Sequence, residues 1–321
     1  MKKLVSLFLV LIGVFSLAGC KEEKPEEVTK EDIKIILPSG APLMTQLGVY
    51  DRSQAADFKI AGHKVIVTVV GGPDPLKAAY GSGEYDVIVS PINMGATMFK
   101  AKHMYKYAAN VSDGNICLAS TTKIESFEDL NGMNLVAFGD GQINSLALTE
   151  VIKADNLNLA NTSYLASVKD TNAQLIADKN PNTVYLVAEP AISGARAKLS
   201  QAGKKVYTLD LLKEFKEKIG VPFMQAGVFV KDGTPKDFVD AYLEMVKNDI
   251  NDFNTDPTKL SAISTKYPDL GLPAVKVLEK SVKGCNLAFR LGKDCKADLE
   301  KLASLNLKYF GGEVPSEEFY L

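Results

Sequence analysis

Apolar residues along this chain fall into two alternating patterns. Short β-branched runs end at Gly, Pro or Ser, and stretches with helical spacing follow them. Ile33 to Leu37 is an apolar run closed by Pro38-Ser39-Gly40, the pattern of a buried strand and a turn. Ala41 to Val49 predicts a helix with Pro42 in its first turn. Val65 to Val70 (VIVTVV) predicts a strand that ends at Gly71-Gly72, with a short helix from Pro73 to Tyr80. Val87 to Val89 predicts the next strand, Asn93 to Lys100 a helix and Tyr105 to Val111 another extended segment. Such strand-helix steps predict an α/β unit with a mostly parallel sheet covered on both faces.

A second unit repeats the pattern. Leu135 to Phe138 reads as a strand, Gly139-Asp140-Gly141 as a glycine loop, and Ser145 to Ala154 as a helix. Tyr164 to Ala166, Asn172 to Ala177 and Val184 to Val187 continue as strand, helix and strand. Ala191 to Leu199 predicts a helix and Val206 to Leu209 a strand. Met224 to Val230 is then extended, and the rest is mainly helical. Thr234-Pro235 has the form of an N-cap followed by a helix-starting proline. Phe238, Ala241, Tyr242, Met245, Val246 and Ile250 then mark one apolar helix face, and Pro257 and Pro273 open two further helices.

The first thirty residues bear on compartment. Lys2 and Lys3 precede an apolar stretch from Leu4 to Phe15, too short to span a bilayer, and Leu17-Ala18-Gly19-Cys20 follows. This resembles a bacterial lipobox. It implies a signal peptide over 1–19, lipidation at Cys20 and an extracytoplasmic protein held to the membrane by a lipid anchor. Residues 20–31, with KEEKPEEVTKE after the cysteine, are too polar to fold alone and read as a tether.

Composition narrows the function. The chain has 321 residues, 46% hydrophobic and 24% charged, which fits a globular protein of about two domains. A net charge of −2 offers no general field for a nucleic-acid backbone, so no nucleic-acid partner is expected. With two histidines, His63 and His103, both expected at the surface, there is little material for a metal site or a catalytic triad, and neither a metal nor a cofactor is expected. Protease, hydrolase-elbow and P-loop motifs are missing. Asp252 to Asp256 imitates a calcium loop, but Pro257 stands where glycine is required. Gly139-x-Gly141 begins like a dinucleotide fingerprint, but Asn144 occupies the third glycine position. Cys285 and Cys295, with nine residues between them in an exported chain, are expected to form a disulfide, and Cys117 is expected as a buried free thiol.

Four local patterns carry a family resemblance. They are Gly71-Gly72-Pro73-Asp74-Pro75-Leu76, the segment Gly83 to Pro91 (GEYDVIVSP), the segment Phe127 to Leu135 (FEDLNGMNL), and Ala188-Glu189-Pro190. In this order, behind a lipobox, they resemble substrate-binding lipoproteins of ABC importers. The likeness is to the type II group that includes nitrate, sulfonate, taurine and thiamine-precursor binders. Met133 departs from the lysine usual in that pattern. The resemblance implies a two-lobed α/β fold, the second lobe inserted in the first, with a cleft between them. Lobe 1 would comprise 32–118 and 227–321, and lobe 2 would comprise 119–226. It further implies a monomer that binds a small molecule by lobe closure and hands it to an ABC permease, not an enzyme. The rival readings are an enzyme on the same fold acting on a small heterocycle, and an adhesive envelope lipoprotein.

In an open parallel sheet, ligands sit beyond the carboxyl ends of strands, where helix N-termini converge. The strand assignments therefore nominate Ser39, Gly40, Gly71, Gly72, Ser90, Asn93, Asn115, Gly139, Gln142, Asn144 and Glu189 as ligand-binding residues. Glu189 could alternatively pair with Lys198. None of Arg52, Arg196 and Arg290 falls in these loops, so no bidentate arginine clamp is expected. Tyr50, Tyr80, Tyr85, Tyr107 and Phe138 are the aromatic residues nearest these loops; most are expected in the core, with one or two free to stack on a heteroaromatic ring.

Overall fold

Alternate residues of the first strand already divide the core. In β1 (Ile33–Pro38), Ile33, Ile35 and Leu37 enter one apolar cluster while Ile36 enters another on the opposite face of the sheet. Each of the four is at most 3% exposed, and burying such a side chain contributes about 1.5–3 kcal/mol. The structure, a computed structural model, describes residues 30–321. The expected signal peptide, Cys20 and nearly all of the tether lie outside the described residues.

From β1 the chain runs through α1 (Ala41–Ser53), β2 (Lys59–Ile60), β3 (His63–Val70) and α2 (Asp74–Ser82). Then come β4 (Val87–Pro91), α3 (Ile92–Lys102) and β5 (Tyr105–Ser112). It crosses into β6 (Ile116–Ser120), β7 (Asn134–Phe138), α4 (Ile143–Ala154), β8 (Asn161–Leu165) and α5 (Val168–Ala177). The same unit continues with β9 (Thr183–Ala188), α6 (Ala191–Gln201), β10 (Tyr207–Leu209) and α7 (Leu211–Ile219). The chain returns through β11 (Ala226–Lys231), α8 (Lys236–Thr255), α9 (Pro257–Ser264), α10 (Val275–Ser281), β12 (Leu287–Leu291) and α11 (Lys296–Leu305).

Two sheets result. The first has the order β12-β5-β11-β4-β1-β3-β2 and the second β10-β6-β9-β7-β8. β1 is parallel to β3 and β4, and β7 is parallel to β8 and β9, as strand-helix alternation predicts. The strands beside the crossings depart from that prediction. β11 lies antiparallel between β4 and β5, and β6 lies antiparallel to β9 and β10. A chain that leaves one sheet along β5 and re-enters along β11 must run back beside its own exit. Because β6 belongs wholly to the second sheet, the first crossing is at residues 113–115, earlier than the expected 118/119 boundary. The return spans residues 221–225, since Ala226 already pairs with Pro91 and Ser112.

The structure corrects four further local expectations. Cys285 and Cys295 are free thiols, not a disulfide. They flank β12 and belong to the clusters on opposite faces of the first sheet, so the strand and the sheet itself hold them apart. Cys285 lies instead against the Met44 sulfur at 3.7 Å. His63 is buried rather than at the surface, its Nδ1 meeting the Glu31 carbonyl at 2.8 Å and its ring lying edge-on to Phe238 of α8. Thr234 does not cap α8, which begins after Pro235 with no side-chain cap. The buried face of α8 is Phe238, Val239, Tyr242, Leu243, Val246, Ile250 and Phe253, while Ala241 is exposed.

Candidate functional site

The carboxyl ends of β1, β4, β7 and β9 open onto one cavity of about 530 Å³ between the two sheets. Each of these strands ends where a helix begins. β1 turns through Ser39 and Gly40, whose φ of +88° is the left-handed backbone that a glycine adopts without strain, directly into α1. β7 turns through Gly139 and Gly141, with φ of +74° and +69°, into α4. The first turns of α1, α4 and α5 thus reach the cavity wall, and their helix N-termini carry partial positive charge there, although the Asp170 N–H of α5 is already capped by the Ser167 hydroxyl.

Six of the eleven nominated residues line the cavity: Ser39, Gly40, Asn115, Gln142, Asn144 and Glu189. The other five do not appear in its wall. Gly71 and Gly72 are exposed in the turn after β3. Ser90 is fully buried and shares a 2.8 Å hydrogen bond with the Tyr80 hydroxyl. Asn93 lies within α3, 9% exposed, with a buried Oδ1 that has no hydrogen-bond partner. Gly139, the buried first residue of the glycine loop, is not among the lining residues.

Polar groups at the hinge are engaged with one another. Asn115 and Glu189 bond twice through their backbones and the Asn115 amide, with the Glu189 N–H donating to the Asn115 carbonyl at 2.8 Å. The Glu189 carboxylate accepts the Ser193 N–H at 3.2 Å and the Ser193 hydroxyl at 2.9 Å. Arg196, not Lys198, is its cationic neighbour, at 3.6 Å. Burial pushes the Glu189 carboxyl above the usual range, opposed by the Ser193 bonds and by Arg196. Its negative charge therefore caps α6 and is partly neutralised before any ligand arrives.

Several lining residues escaped the sequence reading. Gln225 stands in the second crossing and donates Nε2 to the Asn144 Oδ1 at 2.8 Å, a hydrogen bond from the returning chain to the first turn of α4. In the sequence it sits inside an apolar run that reads as strand. Lys169, exposed at the start of α5, adds a cation and has no ion-pair partner among the described residues. Leu270, Gly271 and Pro273 form a lip from the loop before α10, whose Gly-Pro content signals a loop but not where it lies. With Phe138, Ile143 and Val168 they make much of the wall apolar. Among the described residues no cluster of three or more His, Cys, Asp or Glu side chains is placed to hold a metal. No helix among them is long and apolar enough to cross a membrane.

Neither a scan of protein-family models nor a search of curated proteins finds a match to this sequence. Solved structures do match. An ABC transporter protein from Parabacteroides distasonis superposes with a TM-score of 0.75 at 19% identity, over 90% of this chain and 98% of that one. The ligand-binding component of an ABC-type import system from Staphylococcus aureus, solved with zinc bound, gives 0.68 at 17% identity over 91% and 96%. The periplasmic aliphatic sulphonate-binding protein SsuA of Escherichia coli gives 0.64 at 12% identity over 87% and 86%. The chain therefore has the two-lobed α/β fold of the solute-binding proteins of ABC importers.

Proposed function

We propose that this protein is the extracytoplasmic solute-binding component of an ABC importer, closing its two lobes on a small anion with an apolar body and delivering it to a permease. The observation that carries the ligand chemistry is the charge balance of the cavity. The first turns of α1, α4 and α5, with Lys169, line it, while its acid, Glu189, is bonded to its own helix and to Arg196. The apolar wall of Phe138, Ile143, Val168 and Leu270 suits the body of such a ligand. The sulphonate bound by the E. coli neighbour has this chemistry, whereas the zinc of the S. aureus neighbour finds no matching cluster of side chains among the described residues. Attachment through Cys20 completes the proposal and rests on the lipobox; a Cys20→Ala chain should leave the membrane fraction.

The neighbours in fold are transporter binding proteins, and the cavity offers no nucleophile paired with a base, so capture without turnover is the reading it supports. A thermal-shift screen of aliphatic sulfonates, carboxylates, nitrate and the corresponding amines tests it. A ligand at one hundred times its Kd stabilises by about 2.7 kcal/mol, which is about 5–10 °C in Tm for a protein of this size. Stabilisation by anions, with the ligand recovered unchanged by mass spectrometry, is the expected outcome. Stabilisation by amines alone, or steady chemical consumption of the ligand, would overturn it.

A further inference from the structure

Beside the cavity, the turn after α10 meets Glu189 with no space to spare. Gly284 lies in the short 3-10 turn Val282–Cys285, which follows the first lobe's α10, and α10 packs on α6 of the second lobe. A Cβ placed on Gly284 would stand 2.8 Å from Glu189 Cγ, 3.4 Å from its Oε1 and 3.5 Å from its Cδ. The φ of Gly284 is not in the left-handed region, so its own backbone does not demand glycine. The neighbour does. A methyl at 2.8 Å forces a shift, and ordinary contact at 3.4 Å is restored only by a retreat of about 0.6 Å. Glu189 has little freedom to retreat within its own lobe. Its main chain is bonded both ways to Asn115, and its carboxylate is held by Ser193 and Arg196.

We propose that Gly284 and Glu189 form the bearing on which the two lobes meet, with Gly284 a positioning residue that sets their separation. Glu189 then serves as a stop fixed to α6 as well as a wall of the cavity. A side chain at position 284 acts as a wedge near the hinge, and a small displacement there grows with distance across the lobes. The strain is relieved by moving one lobe as a body, because each lobe's own packing resists the same shift more strongly.

This inference rests on lobe closure as the working motion, but its test needs no ligand, so the two can fail separately. Nitroxide labels are attached through ketone-bearing amino acids at Asp74 and Lys169, both exposed and one on each lobe. The interlobe distance in the ligand-free, full-length chain is read by pulsed electron resonance for wild type, Gly284→Ala, and Gly284→Ala with Glu189→Ala. Gly284→Ala should fold and lengthen the mean distance. The double variant, which removes Glu189 Cγ, should return it to the wild-type value. A folded Gly284→Ala with the wild-type distance overturns the proposal. So does a Gly284→Ala that does not fold, because the contact would then belong to a core that cannot open, or a distance that lengthens and is not restored by Glu189→Ala.

Discussion

Replacing Gln225 separates the charge of the cavity from its framework. Gln225 donates Nε2 to the Asn144 Oδ1 at 2.8 Å, and its backbone N–H donates to the Ser112 carbonyl at 2.9 Å. Its own Oε1 is buried without a partner. Gln225→Ala removes one neutral hydrogen bond, about 0.5–1.5 kcal/mol. It leaves the Asn144 oxygen beside a cavity that admits water, and it also removes the orphan Oε1. These effects largely offset beyond the lost bond, so destabilisation should be about 1 kcal/mol, or about 2–4 °C in Tm. Gln225→Glu keeps the shape, and the Asn144 amide can turn to donate to the carboxylate. A negative charge at the N-terminus of α4 gains about 0.3–1 kcal/mol, which offsets desolvation of the half-buried group. Its stability should therefore stay within about 1 kcal/mol of wild type. Its binding should not. At an effective dielectric of about 20, two like charges about 5 Å apart repel by about 3 kcal/mol, about a hundredfold in Kd. Calorimetric titration with the best anion from the screen, paired with thermal melts, measures both quantities. A folded Gln225→Glu that binds this anion within about threefold of wild type would refute the anionic reading.

Three further outcomes are expected. Gly95→Ala places a methyl 2.1–2.7 Å from ring atoms of Phe229 and should cost about 1–3 kcal/mol by overpacking, read as a lower denaturant midpoint with unchanged slope. Burial raises the Asp51 carboxyl, but its bonds to Tyr267 and Lys266 outweigh this and hold it below the ordinary 3.8. A depressed folded value gives stability present above the unfolded value and lost as pH falls through the folded one. Asp51→Asn should therefore lower Tm at neutral pH, with the difference from wild type shrinking as pH falls below 3.8; a loss that does not change with pH would show that the charge is not responsible. Thiol titration of the Cys20→Ala chain unfolded in denaturant without reductant should find Cys117, Cys285 and Cys295 all free, and reductant should not lower Tm; one remaining thiol would indicate a bridge.

Parts of the site were legible because glycine and proline announce where strands stop. Ser39-Gly40, Gly139 to Asn144 and Glu189-Pro190 each close an apolar run, and a parallel sheet sends its strand ends to one side. This reasoning reached six of the residues now lining the cavity. It missed Gln225, whose neighbours are apolar, because strand propensity does not mark which residue of a run lies between two sheets. Nothing in the sequence singles out Lys169, and only the seating of α5 beside β7 brings it to the cavity. Cys285 and Cys295 were close enough in sequence to bridge, and their separation depends on which face of the sheet each side chain enters.

The amino-acid pattern by itself determined the alternation of strands and helices, the two α/β units and the turns between them, since periodicity and turn chemistry act over a few residues. The tertiary structure alone decided strand order, the antiparallel return of β11 and the point of crossing between lobes. It also decided which polar groups meet. Gln225 meets Asn144 and Gly284 meets Glu189 across spans of some eighty to a hundred residues, and His63 is buried by a helix far along the chain. Such contacts depend on how complete lobes pack, and no local propensity encodes the distance between two surfaces brought together by the whole chain.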